Sequence, residues 1–365
     1  MYKNMKSNSV DRILWVDIAK ALLIFCIVLC HTLRFGKLDV FLTSFGMPCF
    51  FILSGITYRR KSNYELIANK AIRILVPYYI FGIISILFYY FFGKYASSSL
   101  GANIKDVSIL PNILGMLYGN CKTGYMAWNT PLYYLPLLFI VSVIVNLFEN
   151  CISSKKDINI YRISFVIISF LLSYYISINN YINLPFYLEG SLFFSSLFEI
   201  GIIGKKYYIR DYNPRIMLLI SFFLFIIGFF ISVYNAPYGL HLFILGKNYF
   251  IFILNTIILS TAVILLSKTI KRQRILSIIG RNTLGILCMH KFPVLFFVTV
   301  FPYFNNIIVS NQESAIVYIL AIIIASFSIL LCLMCAYVII LICPYVLGEK
   351  YRHNIFIIGD DNASK

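Results

Sequence analysis

A few ionisable side chains stand inside long apolar runs of this sequence: Asp17, Lys20 and His31 in the first run, Glu189 and Glu199 in the sixth, and His290 with Lys291 in the ninth. Each such group costs a few kcal/mol or more in hydrocarbon, which makes each a functional candidate facing the interior of a helix bundle. Histidine changes charge near neutral pH, so His31 in a wet cavity can take the proton from an incoming hydroxyl; the competing role is a packing histidine bonded to a neighbouring helix. Lys20 lies eleven residues earlier, roughly 16 Å away along a helix axis. The two side chains cannot touch, but an extended ligand could place an anionic end at Lys20 and a reactive end at His31. Lys20 can equally snorkel to the membrane surface.

The remaining candidates are read in the same way. Glu189 is expected near the level of His31, where it can orient an imidazolium or bind water among headgroups, and Glu199 lies deeper by roughly 15 Å. His290 and Lys291 fall near mid-membrane, with a structural hydrogen bond and a catalytic contact both open. Lys70 and Arg73, three residues apart, share one face of a helix at the membrane boundary, where they can bind phosphates or simply anchor the chain.

The elements that must position these groups are helices in a membrane. Of 365 residues, 60% are hydrophobic and 12% are charged, about half the charged fraction of an ordinary soluble chain. Apolar runs extend over approximately 13–33, 40–58, 72–92, 131–148, 161–178, 186–203, 215–233, 249–267, 283–301 and 315–345. In lipid, backbone groups must pair internally, and the short alternating segments of a barrel are absent, so the runs predict an all-α polytopic bundle of about ten transmembrane helices. The expected organisation is one membrane-embedded domain over residues 1–348 and a short cytoplasmic tail over 349–365. The first run, although it follows Lys3, Lys6 and Arg12, is too long for a signal peptide and is expected to be a retained anchor.

The formal charge of +17 does not indicate nucleic acid, because the basic residues fall in short loops between runs. With both termini in the cytoplasm, the clusters Arg59 to Lys61, Lys155 with Lys156, Lys205 with Lys206, and Lys268 to Arg274 are all cytoplasmic, as the positive-inside rule requires. The longest connection, 93–130, then lies outside, with turn signals at Pro111 and at Gly119 with Asn120, and is placed to cover an outward cavity. Seven of the nine cysteines lie within apolar runs as small hydrophobes, and a thiolate metal site at Cys332 and Cys335 lacks further ligands, so no metal is expected.

Several segments, taken in order, carry a resemblance. They are WVDIAKALLIFCIVLCH at 15–31, FGMPCFFILSG at 45–55, KAIRILVPYY at 70–79, NTPLYYLPLLF at 129–139, LPFYLEGSLFFSSLFEIG at 184–201, IGRNTLGILCMH at 279–290 and CPYVLG at 343–348. Together they resemble the acyltransferase-3 family of integral membrane acyltransferases, particularly its surface-polysaccharide O-acetyltransferase branch. The resemblance implies acyl transfer, most often acetyl from acetyl-CoA, to a hydroxyl of an envelope glycan or its lipid-linked precursor. It implies His31 as the catalytic residue and Lys20, Lys70 and Arg73 as contacts for the CoA donor. Lysine stands at two positions where the family usually has arginine, which keeps charge but not the planar guanidinium fork.

The expected partners are thus acyl-CoA, a glycan acceptor and membrane lipids, with no permanently bound cofactor, in the plasma (inner) membrane. Asn129 enters the fourth run at the level of His31, where it can bind acceptor or oxyanion, or cap the helix. A transporter or flippase for a glycan or lipid-linked sugar is the alternative class, since buried charges and many aromatics also suit a pathway.

Overall fold

The computed structural model describes residues 13–33, 36–92, 109–121, 127–179, 183–210, 212–270, 273–300 and 313–349. The chain folds as the all-α bundle that its apolar runs dictate. In order it forms α1 (Leu14–Leu33), α2 (Lys37–Ile56), α3 (Asn63–Lys70), a π-helical turn (Ala71–Leu75) leading into α4 (Val76–Phe92), and α5 (Ile109–Tyr118). A 3₁₀ segment (Ala127–Tyr133) leads into α6 (Tyr134–Ile152), followed by α7 (Ile158–Ile178), α8 (Leu188–Ile209), α9 (Pro214–Asn235) and α10 (Tyr249–Thr269). The chain continues through α11 (Arg274–Arg281), α12 (Thr283–Met289), α13 (Lys291–Val300) and α14 (Ala315–Ile342). A two-residue hairpin, Tyr238–Gly239 with Ile244–Leu245, is the one sheet among the described residues.

Nine continuous helical stretches are long and apolar enough to cross a membrane among the described residues. Three details depart from the sequence reading. The run 283–301 is not one helix but α12 and α13, broken at His290. Pro293, in the first turn of α13, has no N–H for the carbonyl of Met289, so one rung of the helical hydrogen-bond ladder is missing at this point. The connection 93–130 holds a helix: Pro111 sits in the first turn of α5, where a missing N–H costs nothing, and Gly119, at φ 72°, ends it. The last run leaves helical geometry at Cys343, earlier than its apolar composition suggested. Residues 93–108 of that long connection and 350–365 of the expected tail lie outside the described residues.

Helix starts follow local chemistry. Ser62 accepts from the backbone N–H of Glu65, Asn213 caps Pro214–Asn235, Asn248 accepts from Phe250 and Ile251, and Ser314 accepts from Val317. Helices α1, α2 and α8 are largely buried, whereas α7 and α9 turn most of their apolar residues outward. Lipid gives no hydrophobic reason for helices to associate, so close approach and buried polar bonds hold the centre. A Cβ on Gly55 would stand 1.9 Å from the carbonyl oxygen of Phe198, and one on Gly201 would stand 2.1 Å from that of Ile52. Only glycine permits α2 and α8 to cross this closely. Ser44, Ser232 and Asn255 join α2, α9 and α10 through bonds of 2.8 Å.

Candidate active site

Lys20, Ile24 and Ile27 occupy successive turns of one face of α1, and the same face carries His31 one turn further on. Along that stripe lies a cavity of about 150 Å³, lined by Lys20, Ile24 and Ile27, by Met47, Phe50 and Ser54 of α2, by Tyr134 and Leu138 of α6, and by Thr283, Leu284 and Leu287 of α12. Both α1 and α12 thus contribute to the cavity and then, within one further turn, present a histidine. The rings of His31 and His290 stand 5.1 Å apart between centroids, inclined at 33°. His31 is half-buried and His290 is fully buried.

His290 is fixed by the break in its helix. Its Nδ1 lies 3.0 Å from the carbonyl oxygen of Ile286 and 2.9 Å from that of Leu287. Carbonyls only accept, so Nδ1 carries the proton and, in the neutral ring, Nε2 is an acceptor. That Nε2 is buried without a hydrogen-bond partner among the described residues.

Asn129 is beside this pair, because its Nδ2 donates to the carbonyl of Cys288 and to Ser85 Oγ, both at 3.0 Å. It has non-helical backbone angles (φ −137°, ψ 60°) within the 3₁₀ segment, and it ties α4 to α12 rather than capping α6. The carbonyl partner settles which end of the amide is which, and Oδ1 is left buried without a hydrogen-bond partner. His290 Nε2 and Asn129 Oδ1 are therefore two buried acceptors at this end of α12.

At the opposite end of the cavity the structure assembles the cations. Lys70 is half-buried and within electrostatic reach of both Lys20 and Arg73. A π turn rather than a continuous α-helix carries the chain from Lys70 through Arg73, and the Arg73 side chain is 62% exposed and paired with Glu349 at 3.6 Å. Gly348, at φ 70°, brings the end of a last 3₁₀ segment (Pro344–Leu347) against this turn, where a Cβ would meet the Arg73 carbonyl at 2.5 Å. Asp17 pairs with Arg281 at 3.6 Å, and Gly280 packs so tightly on its backbone that a Cβ would stand 1.9 Å from its carbonyl oxygen.

The two glutamates of α8 are also engaged. Glu189, fully buried, accepts from Asn120 Nδ2 at 2.9 Å and from the Leu184 N–H at 3.2 Å, which clasps the segments that precede α6 and α8. Glu199 lies 3.3 Å from Arg162 Nε, and Arg162 grips Glu149 through Nε and Nη2 at 2.7 and 2.6 Å. Glu149 and Arg162 border a second cavity of about 350 Å³, lined at the basic end also by Tyr58, Arg60 and Lys205. Two of its three cations are held internally, Arg162 by carboxylates and Lys205 by the Tyr58 carbonyl at 3.2 Å.

Sequence reasoning missed Glu149, just past the run that ends at 148, and missed that His31 and His290 form one pair. The first had a signal: Glu149 and Arg162 flank a short loop and so meet at the same end of two antiparallel helices. The second had none in either segment alone. Lys291 is within electrostatic reach of both His290 and His241. In the loop before α10, burial and this ammonium hold the His241 imidazole below its usual range. All nine cysteines are free thiols.

Comparison with curated proteins and with solved structures returns no match. A family model described as an acyltransferase domain, Acyl_transf_3, matches residues 13–346. That interval runs from the start of α1 to the 3₁₀ segment docked on Arg73, and so includes the histidine pair, the cavity and the cations at its far end: the chain is an integral membrane protein of the acyltransferase-3 family.

Proposed function

We propose that the protein transfers an acetyl group from acetyl-CoA to a hydroxyl of a cell-surface polysaccharide or its lipid-linked precursor, working in the plasma (inner) membrane. One observation carries the reading: Lys20 and His31 lie on a single stripe of α1, and a cavity follows that stripe between them. With the basic end in the cytoplasm, where CoA is made, Lys20, Lys70 and Arg73 hold the phosphates of the donor and the pantetheine arm runs along the cavity. The thioester then meets the acceptor near His31, at the outer side where envelope glycans are modified.

The step follows from the groups present. His31 takes the proton from the acceptor hydroxyl, and the oxygen attacks the thioester carbonyl. The new C–O bond forms, the C–S bond breaks, and the imidazolium returns its proton to the departing sulfur. Lysine in place of arginine at positions 20 and 70 supplies charge without a fixed fork, which suits contacts with phosphates of variable orientation.

The test is mass spectrometry of surface polysaccharide from cells with and without this chain, and with His31→Ala in protein that inserts normally. A difference of one acetyl mass that disappears in the variant supports the reading. Movement of glycan across vesicles without covalent change would replace it with transport.

A further inference from the structure

The imidazole of His290 is placed to do more than pack. Its Nδ1–H is held by the carbonyls of Ile286 and Leu287, so the tautomer is set by main chain that cannot change its role. The remaining nitrogen can only accept, it is buried without a hydrogen-bond partner, and its ring is in contact with the ring of His31. An unsatisfied buried acceptor is costly, and such atoms are retained where something donates to them at another stage of function.

The titratable and charged groups at this end of the elements packed against α1 are Lys37 and Asp39 on α2, Tyr249 on α10, His290 and Lys291 at the α12–α13 junction, and Tyr318 on α14. His241 adds to them from the loop before α10. Lys37 pairs with Glu313 at 3.3 Å, and the Tyr249 hydroxyl donates to the Phe170 carbonyl at 3.0 Å. Of this set, His290 is the neutral acceptor in ring contact with His31.

We propose that His290 is the positioning residue for His31: its Nε2 accepts an N–H from the His31 ring and holds that ring with its other nitrogen toward the acceptor hydroxyl. This rests on the reading of His31 as the base. When His31 takes the hydroxyl proton it becomes an imidazolium with two donors, one bonded to His290 and one aimed at the thioester sulfur. No proton passes to His290, which keeps its Nδ1–H throughout, and the proton on His31 leaves with CoA. A neutral ring serves where a carboxylate would serve in water-rich sites, because an unpaired carboxylate at this depth carries a far larger desolvation cost.

Full-length protein in lipid nanodiscs, with ¹⁵N-labelled histidine, tests this by NMR titration, since the chain holds only four histidines to assign. A hydrogen bond to the charged form favours that form. His290→Phe, which keeps a ring and removes the acceptor, should therefore lower the titration midpoint of His31 by about one pH unit. His290→Gln, whose amide donates to the carbonyls while its oxygen accepts, should restore much of it. The acidic limb of glycan acetylation should move to lower pH in His290→Phe, in step with the midpoint. In the wild-type protein, which needs no variant to fold, the His290 Nε2 signal should respond at the midpoint of His31. An unmoved or raised midpoint in folded His290→Phe, or a wild-type Nε2 signal blind to His31, overturns the proposal. If glycan acetylation survives His31→Ala, the proposed function fails, whatever the titration shows.

Discussion

The two ends of the bundle handle buried polar groups in different ways. At the basic end, Glu149, Arg162 and Glu199 form a triad across α6, α7 and α8, with Arg162 bidentate to Glu149 and 3.3 Å from Glu199, whose carboxylate oxygens make an ion pair but no hydrogen bond among the described residues. At the other end, His290 and Asn129 each have one side of the side chain fixed by main-chain carbonyls and the other side, an acceptor, left without a hydrogen-bond partner. Both clusters meet the same rule, that ionisable or polar groups in a membrane interior are kept for a reason. What separates them is counter-charge: Arg162 forms ion pairs with both carboxylates and so links three helices, whereas the acceptors of His290 and Asn129 belong to neutral side chains held on one side by main-chain carbonyls.

That contrast can be broken by exchanging the consequences. The largest effect is expected for His31→Ala, which should cut glycan acetylation roughly 10²–10⁴-fold, the usual contribution of a general base. Its thermal unfolding should barely move. Equal loss of activity and of folded protein would merge the two ends into one class.

Arg162→Ala should do the reverse. It leaves two buried carboxylates facing each other and should cost about 3–5 kcal/mol of stability, read as a fall in folded protein in detergent, with activity per folded molecule retained. Replacing Glu149, Arg162 and Glu199 together by apolar residues of similar size should recover most of that loss, because no charge is then left unpaired. A triad needed for chemistry would not recover.

A smaller effect is expected where backbone, not charge, is at stake. Gly201→Ala must push α8 away from the Ile52 carbonyl, which a Cβ would approach to 2.1 Å, and overpacking of this kind costs about 1–3 kcal/mol. The unfolding midpoint should fall while the pH profile stays in place. The smallest change is Lys20→Met: the loss of one phosphate contact should raise the KM for acetyl-CoA roughly tenfold, equivalent to ~1.4 kcal/mol, with kcat little altered. A kcat effect instead would move Lys20 from donor binding to the reacting centre.

Much of this was legible in the chain. The spacing of Lys20 and His31 implies their separation, and the clustering of lysine and arginine in alternate loops implies the orientation proposed. Other features were not. The break at His290 lies beside Pro293, but a proline in an apolar run can also kink a helix without breaking it. The π turn after Lys70 has no signature in the residues it contains. Asn129 does not cap its helix; its Nδ2 bonds to Ser85 and Cys288, two residues on helices far from it in sequence.

By itself, the sequence determined that the chain crosses a membrane as helices, because runs this apolar have nowhere else to satisfy their backbone, and it determined which few side chains lipid would not tolerate unpaired. Only the tertiary structure decided their partners: that Arg162 pairs with Glu149 and Glu199, that Asp17 faces Arg281, and that His290 stands beside His31. The reason is that helices in lipid present nearly uniform apolar surfaces with no moment to orient them. Which faces meet is then set by a few glycines and polar bonds between segments distant in the chain, and that information exists only once the bundle has formed.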